Sequence, residues 1–400
     1  MKKELYITIS IYDIVLVLIC LFSISTITQT LLPFSMNRFI TLFIVAIIVF
    51  DDLFHLDRFT CLIYVYIVFM LVYSMIWAND LAQNIEDYIY YTVAIVELGF
   101  FSKKEHIEGF QKSLQKNISM VKIVAIIDLV IVLISMFSPS CYQSNWSSSY
   151  LYGYTNSGHA MAAGCCLVMV LWGYIIANYK FSIIKIIPLI ILAYAVLKTG
   201  ARVFMVPIAI ILYYYVRNQF NNKYIRVLIL ICGIVLFLFL IVNSNMLDKF
   251  MHATNTQGGR YSVLEALTSG RSEFWVVDIL DYVNSGVLYQ LFGRGFDYIY
   301  DLNAQMVGMA IWAHNDFINI LIACGLVGLA IYIMMISKVL DRHVRKKDFM
   351  NKMMIMCYVL FPAFINGFYT YYHYFNSFII FLMMVKVIQD KQNSIWIGER

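Results

Sequence analysis

Apolar residues fall in long runs separated by short polar stretches. A helix needs about 20 apolar residues to cross the hydrocarbon core of a bilayer, with a tolerated range of about 17–25. The runs lie near 11–32, 39–51, 59–78, 88–101, 118–138, 157–178, 181–197, 203–216, 225–243, 315–336, 352–371 and 374–388. Those at 39–51, 88–101 and 203–216 are short, and periodicity leaves open whether they are full spans or re-entrant pieces. The first run follows a basic start, MKKELYITISIYDIVLVLICLF, without a small-residue cleavage site, and reads as a retained span.

Composition assigns these runs to a class. Of 400 residues, 62% are hydrophobic and 13% charged, where soluble domains average about 45–50% and about 25%. A soluble fold of this length needs more polar surface than that. The expectation is an all-α polytopic membrane protein. Cysteines add little. Seven of the eight lie in apolar runs, where thiols behave as small hydrophobes, and only Cys141 falls in a predicted loop.

The net charge of +5 matters less than where the lysines and arginines sit. Taking alternate loops as cytoplasmic gathers Lys2, Lys3, Lys103, Lys104, Lys112, Lys116, Arg217, Lys223, Arg226, the Arg342–Lys347 run and the tail on one side. The opposite stretches near 79–87 and 138–157 have no Lys or Arg. About twelve spans with both termini cytoplasmic satisfy this alternation. The chain then divides into helices 1–9 (1–243), a large outer loop (244–314), and helices 10–12 with a short cytoplasmic tail (315–400). Among polar residues inside runs, Lys122 and Lys185 lie near cytoplasmic ends and can snorkel; Asp13 and Asp128 fit helix pairing or a proton path equally well.

The outer side nonetheless keeps Lys198, Arg202, Lys249, Arg260, Arg271 and Arg294, most of them in or beside the 244–314 loop. Loops this long are usually functional. Within it, SEFWVVDILDYV predicts an amphipathic helix with Trp275, Ile279 and Tyr282 on one face and Asp278 and Asp281 elsewhere, suited to lie along the outer bilayer surface.

The chain carries no phosphate-binding glycine loop, no His-Glu-X-X-His pattern, no Asp-X-Asp pair and no Gly-X-Ser-X-Gly elbow. Energy for a reaction must therefore come with the substrate. Arg202, in LKTGARVFMV, sits where one run ends and the next begins; an arginine near the apolar core costs about 2.5–3.5 kcal/mol on insertion scales. It either snorkels, pairs within the bundle, or holds a ligand. Arg271 and Arg294 are flanked by glycines that permit close backbone approach, or are simply solvated loop charges. Three arginines on one face suit an anion, because the guanidinium fork grips phosphate and stays charged.

His314 and Asn315, in AHNDFINILIACGLVGLAIY, stand at the mouth of a span with Gly325 and Gly328 following, a spacing that also serves close helix packing. His314 is an interfacial polar residue or, with an ordinary pKa near 6.5 and neighbouring positive charge that favours its neutral form, a general base whose activity falls as pH drops through the imidazole pKa. His159, in YGYTNSGHAMAAG, is a weaker candidate at the outer end of another span. Trp146, Tyr150, Tyr152, Trp275 and Tyr298 could stack on sugar rings or form an interfacial aromatic belt.

His-Asn, nine residues, then Gly-X-X-Gly, running from His314 to Gly328, is similar to the signature of the O-antigen ligase and Wzy polymerase superfamily. Supporting pieces occur in order: Gly-Tyr-Thr-Asn before the sixth span, the arginine of KTGARVF, Gly270-Arg271 with Trp275, and the Gly-Arg-Gly-Phe turn at 293–296. The resemblance covers roughly residues 150–335. It implies a metal-independent glycosyltransferase of GT-C-like helical fold, without cofactor, acting on undecaprenyl-pyrophosphate-linked glycans at the outer face of the bacterial inner membrane. It further implies that Arg202 and Arg271 sit on the pyrophosphate leaving group and that Arg294 assists there or holds the glycan. Arg260 and His159 would contribute to substrate binding. His314 would orient or deprotonate the acceptor hydroxyl, and Asn315 would fix that geometry.

A polymerase joins lipid-linked repeat units of O-antigen or capsule; a ligase passes the finished chain to lipid A–core. The motif is common to both, and polymerase is the favoured reading. A flippase for lipid-linked oligosaccharide is the alternative of a different class; it predicts polar residues through the middle of many spans and two related halves, whereas the charges here cluster at the outer face. Expected partners are the lipid-linked glycan, membrane lipids and a Wzz-like chain-length regulator, with no nucleic acid.

Overall fold

The computed structural model describes residues 9–32, 36–145, 148–179, 183–220, 270–344 and 348–398, with 222, 224–229, 231, 233 and 235. The expected span 225–243 lies largely outside these residues, as do Trp146, Lys249 and Arg260. The described chain is almost entirely helical. Its helices are α1 (Ile11–Ile27), α2 (Met36–Phe54), α3 (Arg58–Trp77), α4 (Leu81–Phe101), α5 (Lys104–Lys116), α6 (Ile118–Phe137), α7 (Gly158–Asn178), α8 (Ile187–Thr199) and α9 (Met205–Gln219). After the undescribed stretch come α10 (Arg271–Asn284), α11 (Val287–Phe292), α12 (Tyr298–Val307), α13 (Asp316–His343), α14 (Phe349–Ile365) and α15 (Tyr372–Gly398). A small antiparallel hairpin, β1 (Tyr142–Asn145) and β2 (Ser148–Leu151), pairs Tyr142 with Leu151.

Among the described residues four helices, α3, α6, α7 and α13, are long and apolar enough to cross a membrane; α1 and α14 are apolar but shorter. Helix α7 is apolar on all sides and 94% of its membrane-length window is buried, as expected of a helix at the centre of a bundle. Its small residues allow that position: a side chain at Gly164 would press on Ile27 and Thr26, and one at Gly173 would meet Met384 of α15. The peripheral helices show the opposite. Windows of α3 and α6 are only 33% and 28% buried, and Leu62, Val65, Val68 and Phe69, with Ile123, Ile126 and Ile127, face outward. Apolar exterior on that scale is what a lipid solvent tolerates and water does not.

Two of the short runs are longer as helices, because polar residues at their ends belong to the helix. Helix α2 continues through Asp52, whose carboxylate is buried between the Tyr64 hydroxyl at 2.8 Å and the Lys103 ammonium at 2.7 Å. Helix α4 starts at Leu81 because Asp80 caps the amides of Ala82 and Gln83, each at 3.1 Å. Run 352–371, by contrast, is not one helix: α14 ends at Ile365 and residues 366–371 form a connection. Buried carboxylates join helices. Asp128 accepts from Ser23 at 2.6 Å, tying α6 to α1, and Asp13 accepts from Ser113, Lys116 and Asn117 of the α5 end.

The described part of the expected 244–314 loop, 270–314, holds α10, α11 and α12; the expected amphipathic helix is α10, turned differently from the sequence reading. In α10 the packed face is Phe274, Trp275 and Asp278, while Ile279 points outward with Val276, Leu280 and Val283. Trp275 and Ile279 therefore occupy opposite environments. The reason is tertiary: α12, the connection after it and the start of α13 supply Ile299, Ala313, Ile318 and Ile322 as a small second core for Trp275. The outward apolar strip remains available to a bilayer.

This segment is locked to the bundle at a backbone crossing. Helix α13 breaks at Gly325 (φ 66°, ψ −168°), and the turn after α11 passes through Gly293 (φ 77°, ψ −167°). Both conformations belong to a region essentially restricted to glycine. A Cβ at Gly325 would lie 2.3 Å from the Leu291 carbonyl, and one at Gly293 would lie 2.3 Å from that of Ala323. The break presents the carbonyls of Ile322 and Ala323 to the amides of Arg294 and Gly295, both at 3.0 Å. Helix breaks at membrane depth need such replacement partners. Gly325 is thus a break point as well as a packing residue. Substituting Gly325→Ala should cost at least about 1–3 kcal/mol from backbone strain alone, read as a lowered melting temperature in detergent. Gly286→Ala, at φ −67° with only the Tyr289 ring in ordinary contact at 3.9 Å, is the control and should shift it less. Equal shifts would mean the crossing is soft.

Candidate functional site at the arginine-bearing end

The two ends of the bundle differ in chemistry. One carries the lysine pairs of Lys103 with Asp52 and Lys116 with Asp13. The other gathers the connections 28–31, 78–80, 200–204 and 366–371 with the α10–α12 segment: the Thr30 amide reaches the Tyr154 carbonyl at 2.8 Å, and Asp297 accepts from the amides of Asn79 and Asp80 at 2.6 and 2.9 Å. The candidate site lies here.

Arg202 stands in the turn between α8 and α9. Gly200, in a left-handed conformation (φ 68°), ends α8, and the start of α7 packs so closely on this turn that a side chain at Gly158 would touch the Thr199 carbonyl. Tyr150 of the hairpin lies beside the half-buried guanidinium. Arg271 is the first residue of α10, reached through Gly270 at φ 83°. Its Nη1 donates to the Ile365 carbonyl at 2.6 Å, at the C-terminus of α14, where the helix dipole favours a cation. Burial, then the nearby Arg202 charge, draws the Arg271 pKa down, partly opposed by Tyr371. An arginine still remains charged at neutral pH. Two guanidinium groups thus repel each other in a poorly solvated place, an arrangement that an anion would relieve.

His314 completes the group. Among the described residues it is the one non-glycine with positive φ, at 52°, a conformation that persists only where the surroundings hold it. The Trp275 indole donates to the Ala313 carbonyl at 2.7 Å, and Asn315 caps α13 through the amides of Phe317 and Ile318 at 3.0 and 3.2 Å. The Trp312 ring lies 4.5 Å from the imidazole. Among the described residues, no hydrogen-bond partner reaches the buried Nδ1 of His314. Burial, with the charge of Arg271 added, pushes the imidazole pKa down to about 3. The direction is the one expected from the neighbouring arginines, and desolvation, invisible in sequence, is the larger cause because it disfavours the charged form.

The connection 366–371 binds these pieces together and was not singled out from sequence. Asn366 is fully buried and interacts through its side chain with His314 and Tyr371. Asp316 holds the connection by accepting from the amides of Phe368 and Tyr369 at 2.7 and 3.2 Å and from Tyr332 at 3.1 Å. Tyr371 faces Arg271 and stacks on His159 at 6.2 Å. The signal was present as Asn-Gly interrupting an apolar run at 366–367, but a hydropathy reading runs straight across it.

The structure therefore brings together Arg202, Arg271, His314 and, across Tyr371, His159, with Asn315 fixing the backbone beside His314. Arg294 is not among them. Its guanidinium pairs with Asp281 at 3.5 Å, bonds the Tyr298 hydroxyl and lies over the rings of Tyr289 and Tyr298 at 4.7 and 4.5 Å. Tyr298 is thereby committed as well, and Trp275 and Tyr150 are buried against protein. Asp278 is a buried carboxyl on α10, pushed up to about 7 by burial and by Asp281. Among the described residues no three His, Cys, Asp or Glu side chains converge to hold a metal. The arrangement can bind an anion between two guanidinium groups beside a neutral imidazole. Comparison of the chain with protein-family models, with curated proteins and with solved structures finds no match.

Proposed function

We propose that the chain is a membrane-embedded polysaccharide polymerase that joins undecaprenyl-pyrophosphate-linked repeat units, of O-antigen or capsule, by metal-independent glycosyl transfer. The observation that carries the reading is the convergence of Arg202 and Arg271 with His314, from three distant parts of the chain, at one end of an apolar bundle. In this reading the protein has a GT-C-like fold of about twelve spans in the bacterial inner membrane, both termini cytoplasmic, with the site on the outer side. The positive-inside distribution of lysines supports that orientation.

The acceptor hydroxyl attacks the anomeric carbon of the donor. The bond from that carbon to the pyrophosphate oxygen breaks, its electron pair leaves with the pyrophosphate, and the hydroxyl proton passes to the His314 imidazole. Arg202 and Arg271 stabilise the charge that develops on the leaving group, a form of catalysis that gains from low local dielectric. Arg294, engaged with Asp281, supports the α10–α12 segment instead of the leaving group.

Reconstitution of the purified chain with its lipid-linked repeat unit, with products resolved by length, tests the proposal. A ladder from that substrate alone is expected. Transfer only after lipid A–core is added would instead make the protein a ligase. Movement of the lipid-linked unit between leaflets, with neither product formed, would make it a flippase. A Wzz-like regulator, if it is a partner, should change the length distribution without being needed for the ladder.

A further inference from the structure

A cavity of about 640 Å³ opens at the same end of the bundle, between α1, α2, α4 and the start of α15. Its size falls within the range of about 300–1,000 Å³ of small-molecule sites. Residues 366–373 form the wall between it and the arginine cluster. Asn366 faces His314 on one side, while Thr370, Tyr372 and His373 line the cavity on the other. His159, Tyr371, His373 and Phe22 form a continuous series of ring contacts from one compartment to the other, each step 6.0–6.2 Å.

The cavity differs in chemistry from the arginine cluster. Its cation, Arg38, is already paired with Glu86. Glu86 would repel a pyrophosphate. Amides of Gln29, Asn37 and Asn156 and the rings of Tyr90 and Tyr372 complete the polar and aromatic lining. Side-chain amides, a carboxylate and a guanidinium fork provide both donors and acceptors for hydroxyl groups, and flat rings offer apolar faces for pyranoses. Leu42, Ile85 and Ile89 line the same cavity, and Leu42 and Ile89 are exposed on the apolar exterior of α2 and α4.

We propose that this cavity is the acceptor-glycan site: it holds the neutral sugars of an oligosaccharide whose terminal hydroxyl is delivered past Tyr371 to His314, while the arginine cluster holds the pyrophosphate of the donor. This rests on the polymerase reading and adds to it two separate compartments with different chemistry. It also gives Arg38, Glu86 and Asn156 a role in acceptor binding.

The test uses the full chain in nanodiscs and two probes: undecaprenyl pyrophosphate without sugars, and the water-soluble oligosaccharide released from the lipid-linked repeat unit by mild acid. Ala82 lines the cavity at an exposed position in the first turn of α4, so Ala82→Trp fills the space with little cost to folding. Ala82→Trp and Glu86→Gln should each weaken oligosaccharide binding at least tenfold and leave undecaprenyl pyrophosphate binding within twofold. Arg271→Ala should do the reverse. The melting temperature of each variant separates a lost site from a lost fold, and Glu86→Gln, which keeps shape, stands if Ala82→Trp fails to fold. Weakened lipid binding in Ala82→Trp with unchanged oligosaccharide binding overturns the assignment and gives the cavity to the lipid. Unchanged binding of both probes in both variants makes it no ligand site. A wild-type chain that binds the pyrophosphate and forms the ladder but does not bind the oligosaccharide overturns this inference alone. Binding of neither probe, with no ladder, removes the polymerase reading as well.

Discussion

Replacing Arg271 by alanine should lower the rate of glycan transfer by about 10²–10³, the usual effect of removing one preorganised group that stabilises a developing anion. The geometry explains why so much is expected of one side chain. Nη1 donates to the Ile365 carbonyl at 2.6 Å, so the fork is anchored at that corner and held by the fold before substrate arrives. The same bond docks α10 on α14, and a structural account of the loss must be separated from a chemical one. Arg271→Lys keeps the charge but not the fork and should recover part of the rate, while a variant damaged only in docking should show a lowered melting temperature in proportion. Arg202→Ala should fall in the same range. Because both arginines act on one leaving group, the double variant should lose less than the product of the two single losses. Initial rates of ladder formation measure all of these. A loss below about threefold for Arg271→Ala would place the pyrophosphate elsewhere.

His314→Ala should lower the rate by about 10²–10⁴, the span typical of a general base. Its pH dependence is the sharper test. With the imidazole at about 3 in the free protein, it is neutral across pH 5–8, so kcat/KM should stay level there and fall only as the pH approaches that value. The sign follows from the role: a base must be unprotonated, and depressing its pKa moves the acid limb to lower pH. Bound pyrophosphate would offset the repulsion from Arg271 and raise the imidazole pKa. The acid limb of kcat should therefore appear at higher pH than that of kcat/KM. An acid limb in kcat/KM centred near 6.5 would mean that His314 is solvated and that the packing of Trp312 and Asn366 around it does not persist in the active protein.

The helical membrane class was legible in the sequence because it rests on composition and run length, which need no partner to be read. Arg202, Arg271 and His314 stood out for a related reason: each is a polar residue where an apolar run begins or ends, and such residues are costly without a task. Asn366 and Tyr371 were missed because their importance comes from contact with residues at 271 and 314, and a window average counts the Asn-Gly pair as a small dip in an apolar run. Arg38 was passed over similarly, as a charge at the edge of a short run. Arg294 shows the reverse case. Its flanking glycines were legible, but their use was not: they permit two backbones to cross at Gly293 and Gly325, and the arginine between them is taken up by Asp281.

The sequence by itself determined that the chain is helical, with helices apolar enough for a bilayer, and the approximate positions of those helices, since apolar run length is a local property summed along the chain. Tertiary structure decided which face of α10 packs inward, where α13 breaks, and which cations share a compartment. Those depend on neighbours tens of residues away in sequence. The same neighbours set the protonation of His314, because desolvation is a property of the packed site and has no counterpart in the order of residues.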